Sequence, residues 1–388
     1  MAENTPSLPT PPWFARPAAR HWSCPPPPAK VRDFHAGLPG YAPTPLTELA
    51  PLARELGVGR VFVKDESARL GLPAFKALGA TWAVHRALAE RAAAGGAAAT
   101  APATLVTATD GNHGRAVART ARLLGQRARV FVPQGVHPAA VAAIAAEEAE
   151  VIEVAGSYDD AVRRAAEAAA GPDAVLVQDT AWPGYERIPG WIVEGYATLC
   201  GEIDAQLLAA GAGSPGLVAV PVGVGALAQA VVTHYRSRPA GPAPALLAVE
   251  PETAACVLTS LTRGEPVSIT TGDTIMAGLN CGTPSSLAWP VLRDGLDAAV
   301  AVTDDDGARA AGDLAALGVS AGPCGAASLA GVRAALSGDG ADDRRSALGL
   351  GPASTVVLLV TEGAAANPRS LSGRGADAPA PDGQTDAC

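Results

Sequence analysis

The chain has 388 residues, 48% of them hydrophobic and 17% charged, enough to bury a large core in more than one lobe. Its net charge of -9 offers no basic stripe for a phosphate backbone, which excludes nucleic acid as the expected partner. No apolar run reaches the ~18 residues of a membrane span and no basic-then-apolar leader follows Met1, so the expectation is a cytoplasmic protein that does not enter a membrane.

Along the chain, residues 1–30, with the run Pro25 to Pro28, and residues 369–388, rich in Gly, Pro, Ala and Asp, read as poorly ordered ends. Between them nine short apolar runs predict strands: Val61–Val63, Thr104–Ala108, Ala128–Val132, Val151–Val154, Val175–Val177, Leu217–Val222, Leu246–Val249, Ala299–Val302 and Thr355–Val360. Most are separated by Ala-rich stretches of helical length. Continuous apolar strands alternating with helices predict an α/β fold with parallel sheets covered on both faces. So many strands require two lobes with a ligand cleft between them, and chemistry belongs on the strand-to-helix loops.

Six cysteines (Cys24, Cys200, Cys256, Cys281, Cys324 and Cys388) form no CxxC pair, which indicates neither a zinc knuckle nor a disulfide-rich fold. Of 29 Lys and Arg residues only Lys30, Lys64 and Lys76 are lysines. In a chain that otherwise uses arginine, a lysine in an informative setting points to a need for an amine, which can form an imine where guanidinium cannot.

Five loops carry candidate chemistry. Lys64-Asp65-Glu66-Ser67 ends a strand, and Gly71 to Ala80 leads into a helix that places Lys76 in its first turn between Phe75 and Ala77. Apolar neighbours are expected to push its amine pKa down, as imine formation requires, although an amphipathic surface helix would also carry such a lysine. Thr109 to Arg115 lies between a strand and a helix, where backbone N–H groups meet anions; Asn112 could hydrogen-bond a ring oxygen and Asp110 could shuttle a proton, and plain turn residues look alike. Pro221 to Ala228 has two glycines at another strand-helix junction and is the candidate phosphate cradle. Gln178 to Tyr185 puts a carboxylate, an indole and a phenol at one strand end. Val360-Thr361-Glu362-Gly363 follows the last strand, and Thr274 to Gly282 has no reading from residue chemistry alone.

Taken in this order, from about Phe34 to about Pro368, the segments resemble the fold-type II pyridoxal 5′-phosphate enzymes and, within them, the diaminopropionate ammonia-lyases. Tyr41 to Leu46, Lys64 to Ser67 with Ala74-Phe75-Lys76, Thr109 to Gly114, Gln178 to Trp182 and Thr274 to Gly282 carry the resemblance. It implies a two-lobed homodimer, with residues 31–69 and 186–368 as the large cofactor-binding lobe and 70–185 as the small one. Lys76, beside Phe75, would bind the cofactor as an imine. Asn112 would contact the ring hydroxyl, Gly223, Val224, Gly225, Ala226 and Leu227 the phosphate, and Thr361 the ring nitrogen. The activity implied is elimination of ammonia from L- or D-2,3-diaminopropionate to give pyruvate. Lys76 would take the α-proton on one face and Asp110 on the other, while Asp110, Asp179, Thr180 and Tyr185 hold the amino acid substrate. Cys256 and Cys281 would form a cysteine pair able to make a disulfide, reduced in a cytoplasmic protein.

Two departures stand out. Relatives usually have a Ser-Gly-Glu-Ser-Gly-like stretch where this chain reads Ser320 to Gly325 without a carboxylate, and an acidic residue is missing after Gly363. A serine/threonine dehydratase and a β-replacement synthase share the same lysine and remain alternatives, as does a protein of this fold that has lost turnover. Asp110 in place of the dehydratases' usual serine favours the diamino substrate.

Overall fold

The computed structural model describes residues 12–95, 101–238 and 243–366. Eleven strands are present among them: β1 (Trp13–Ala15), β2 (Leu46–Glu48), β3 (Arg60–Asp65), β4 (Thr104–Ala108), β5 (Arg127–Pro133), β6 (Glu150–Val154), β7 (Ala174–Leu176), β8 (Leu217–Pro221), β9 (Ala245–Pro251), β10 (Ala298–Val302) and β11 (Thr355–Val360). They form a seven-stranded sheet in the order β1-β10-β9-β8-β11-β3-β2 and a four-stranded sheet in the order β6-β5-β4-β7. Every pairing is parallel except those of the short edge strands β1 and β2. β8, β10 and β11 are buried along their whole length, which is why they read as unbroken apolar runs rather than alternating ones.

All nine predicted runs are strands. The two additional strands are three-residue edges, too short and too partly exposed to leave a periodic signature. β1 also corrects the reading of residues 12–30 as loose: Trp13–Ala15 pairs with Ala298–Val300, and the Arg16 N–H donates to the Asp297 carbonyl at 2.6 Å. The tail 369–388 and the first eleven residues lie outside the described residues.

Two features aim the Lys76 helix (Lys76–Ala94). It crosses the long helix Arg187–Ala209 so closely that a Cβ on Gly195 would lie 2.6 Å from the Leu78 carbonyl oxygen. At its start, the Phe75 N–H donates to the Thr361 carbonyl at 3.1 Å, tying the lysine to the end of β11. Just upstream is a buried ionic network. Lys64 Nζ meets Glu202 Oε2 at 2.6 Å, Arg69 reaches Glu202 at 2.7 Å and Glu66 at 2.6 Å, and Tyr41 and Thr44 donate into the same carboxylates. The charged cluster at Lys64 to Ser67 is thus a clasp between the end of β3 and the long helix. Breaking one buried pair of this kind costs about 3–5 kcal/mol.

Candidate active site

The loops that follow β4, β7, β8 and β11 converge at the carboxyl ends of both sheets on a cavity of about 910 Å³. Phe75, Lys76, Asp110, Asn112, Asp179, Gly223 to Leu227 and Thr361 all line it, so segments scattered over nearly three hundred positions share one space.

Lys76 Nζ donates to Asp179 Oδ2 at 2.5 Å and lies 5.3 Å from the centre of the Phe75 ring, which in turn packs 4.7 Å from Tyr196. Burial alone would push the amine pKa down, as the sequence suggests. The Asp179 carboxylate outweighs it, and the amine is held above its ordinary value. That expectation is therefore corrected: the partner that decides the charge is 103 positions away. On Asp179 burial pulls upward, but Lys76 and His113 hold its carboxyl down at about 2. Asp110 has no such cation in contact; burial and the nearby Asp179 charge push it up to about 7. Two carboxylates in one cavity thus have opposite tendencies, one fixed as an anion and one able to gain or lose a proton near neutrality.

The glycine loop joins β8 to the helix Ala226–Arg236, whose first N–H groups have no intrahelical partners. Gly225 has φ +98°, and a Cβ there would meet Leu292 Cδ1 at 2.7 Å, so the turn needs glycine. The wall behind it is the segment from Thr274 to Gly282, to which sequence chemistry alone assigns no role. Thr274 Oγ1 and the Ile275 N–H donate to Asp304 at 2.6 and 3.0 Å, and Cys281 Sγ would lie 3.0 Å from a Cβ on Gly223. Cys256 and Cys281 are both free thiols flanking Gly223, with burial pushing their pKa values up.

Two predicted substrate ligands are elsewhere. The Tyr185 hydroxyl donates to the Leu176 carbonyl and accepts from the Gln178 N–H, both at 2.9 Å, so it props the end of β7 and lies outside the cavity lining. Thr180 is also outside that lining, because the backbone turns away after Asp179 and the Ala181 N–H donates to Ser285 Oγ at 3.0 Å. As placed, neither side chain lines the cavity.

Residues to which the sequence gives no role, Glu362, Tyr158 and His113, face it too. Asn112 Nδ2 donates to Glu362 Oε2 at 2.6 Å, so the amide expected at a ring hydroxyl is steadied by a carboxylate. The other Glu362 oxygen accepts from the Cys324 N–H at 3.4 Å, at the start of the helix Pro323–Leu336. Although Ser320 to Gly325 lacks a carboxylate of its own, Glu362 supplies one against that stretch, protonation being favoured by its burial. Tyr158 lines the cavity and accepts from Gln178 Nε2 at 2.7 Å; its place one residue after the Ser157 helix cap hides it in the sequence. His113 also lines the cavity and is within a motif already singled out.

A half-buried lysine amine, a glycine-lined helix start and hydroxyl, amide and carboxyl groups around one cavity are the donor set of an enzyme that binds a phosphorylated aldehyde. The family model for pyridoxal-phosphate dependent enzymes matches residues 38–362, and the chain belongs to that family. The diaminopropionate ammonia-lyase of Salmonella typhimurium is 40% identical over 292 residues, covering 71% of this chain and 72% of that protein. The biosynthetic L-threonine dehydratase of Mycobacterium leprae is similar at 29% identity over 331 residues, covering 84% of this chain and 69% of that protein. Among solved structures, the Escherichia coli diaminopropionate ammonia-lyase in complex with an aminoacrylate-PLP azomethine intermediate superposes with a TM-score of 0.79 at 34% identity, over 95% of this chain and 93% of that one. The likeness confirms the two-lobed fold-type II architecture, and pyridoxal phosphate is the cofactor of this enzyme. The residues present fit it: an amine for the aldehyde, a backbone cradle at Gly223 to Leu227 whose two glycines have no room for a Cβ, and the polar side chains of Asn112 and Thr361 on the same lining.

Proposed function

We propose that this enzyme eliminates ammonia from 2,3-diaminopropionate, in the L form and, through Asp110, the D form, leaving a product that hydrolyses to pyruvate. The observation that carries the reading is the pair of carboxylates, Asp179 as a fixed anion at about 2 and Asp110 at about 7, on the same cavity as Lys76. A substrate bearing two ammonium groups suits that pair of acidic side chains. Pyridoxal phosphate, when bound, delocalises the electron pair left at the substrate Cα once its proton is removed.

The protein's own contribution is binding and proton transfer. The helix start at Gly225 would hold the phosphate, and Asn112, steadied by Glu362, would orient the ring. Thr361 would offer a hydroxyl rather than a carboxylate to the ring nitrogen, which would favour elimination over transamination. Lys76 would hold the cofactor, and its amine would take the substrate Cα proton on one face while Asp110 would take it on the opposite face. Asp179, fixed as an anion, would position the ammonium groups of the substrate. The enzyme works on a free amino acid, as a cytoplasmic homodimer; among the described residues no helix is long and apolar enough to cross a membrane.

The test is the visible spectrum of the purified protein beside Lys76→Ala, with pyruvate and ammonia release from L- and D-diaminopropionate, L-serine and L-threonine. A band near ~420 nm that the variant lacks, with two ammonia per pyruvate from diaminopropionate, is the expected result. No turnover of diaminopropionate beside turnover of serine or threonine would refute the substrate assignment.

A further inference from the structure

Lys76 has to be an uncharged amine when it takes a proton from a substrate, yet the structure clamps it to Asp179 as an ammonium. A second neighbour of the same carboxylate oxygen shows where that proton can go. His113, the second residue of the helix Asn112–Leu123, is buried, and its Nδ1 stands 3.9 Å from Asp179 Oδ2, the oxygen that accepts from Lys76. Its other ring nitrogen, Nε2, is 2.8 Å from the Val177 carbonyl oxygen. A carbonyl only accepts, so Nε2 carries the hydrogen and Nδ1 presents a lone pair. That Nδ1 is sealed from solvent without a hydrogen-bond partner.

We propose that His113 is the proton store of this site, binding at Nδ1 the proton that Lys76 sheds, with the ionised Asp179 between them. One Nζ–H bond breaks and one Nδ1–H bond forms. Lys76 goes from cationic to neutral, His113 from neutral to cationic, and Asp179 stays anionic, so the buried charge of the cluster does not change. A movement of ~1 Å brings Nδ1 within hydrogen-bond reach of Oδ2. The charged groups facing the ring are Asp179, from the loop after β7, and Lys76, from the start of its helix; Asp110, in the loop leading to His113, is coupled to both. Burial most strongly keeps the imidazole neutral, Asp179 favours its cation and the Lys76 charge opposes it. Once Lys76 is uncharged that opposition is gone and the proton has a place to stay.

The proposal rests on Lys76 acting as the base, and its first test needs no substrate. The full-length, cofactor-free protein is labelled with ¹⁵N at histidine, with His113→Gln assigning the resonance among six histidines. In the wild type the Nε2–H neutral form is expected at pH 7, and in Lys76→Met a rise in the His113 pKa of one unit or more. A resonance that titrates identically in both proteins overturns the proposal whatever the enzyme acts on. The second test is the His113→Gln holoenzyme, whose side-chain amide can still donate to Val177. The expectation is an unchanged melting temperature and cofactor band, kcat/KM lowered ~100-fold, and the acid limb of its pH profile moved to higher pH. A lowered melting temperature with an unmoved pH profile assigns His113 a structural role only and refutes the store.

Discussion

Replacing Asp179 by Asn isolates the charge that governs the active lysine. In the native protein the Asp179 carboxyl is held at about 2 instead of 3.8. At about 1.4 kcal/mol for each pKa unit this corresponds to ~2.4 kcal/mol of favourable interaction, most of it with Lys76 at 2.5 Å. Because the folded pKa is depressed, that stabilisation is complete above about 3.8 and is lost as pH falls towards 2. At pH 7 Asp179→Asn is therefore expected to cost up to ~2 kcal/mol in denaturant unfolding of the cofactor-free protein, less if Lys76 sheds its proton. Shedding is the expected response, since burial, the largest influence on the amine, would then act without Asp179 to oppose it. Uptake of pyridoxal phosphate, which needs the neutral amine, should move to lower pH in the variant, followed by the appearance of the cofactor band. Uptake with the wild-type pH dependence, alongside unchanged stability, would refute the argument that Asp179 sets the charge of Lys76.

Asp110→Asn should lower turnover of D-diaminopropionate by a factor of ~100 or more and leave the L form within several-fold. In the wild type the D-specific rate should climb as pH passes about 7, where Asp110 loses its proton, and the L-specific rate should not share that limb. Gly225→Ala forces a side chain into a left-handed turn and onto Leu292, so cofactor affinity should fall ~10-fold by titration of the visible band and the melting temperature should drop, from ~1–2 kcal/mol of backbone strain alone.

Much of this architecture is legible in the sequence because parallel strands buried on both faces have to be unbroken apolar runs, and glycines mark where backbone must bend or come close. Lys76, Asp110, Asp179 and the glycine loop stand out for the same reason, each sitting where a strand gives way to a helix. Tyr185 and Thr180 lie at such a junction too, and proximity in sequence does not say which way a side chain turns. The Tyr185 hydroxyl is taken by backbone groups of Leu176 and Gln178 that no spacing rule reveals. Charge states are less legible still. Asn112 and Glu362 are 250 positions apart, and Lys76 owes its charge to a residue in another loop, so the sequence order hides the contacts that tune the site.

The ionic clasp around Lys64 has a consequence for the bench. With Nζ fully enclosed and bonded to Glu202, Gln206 and the Thr44 carbonyl, Lys64 is out of reach of amine-directed reagents while the fold is intact. Lys30 is exposed at the start of a short helix, and Lys76 opens onto the cavity. For a gentle acylating label the folded enzyme therefore offers just two side-chain amines, and protection by pyridoxal phosphate would single out one of them. Mass spectrometry of the labelled chain would then read occupancy of the catalytic amine directly, in a protein whose arginine-rich surface leaves the background quiet.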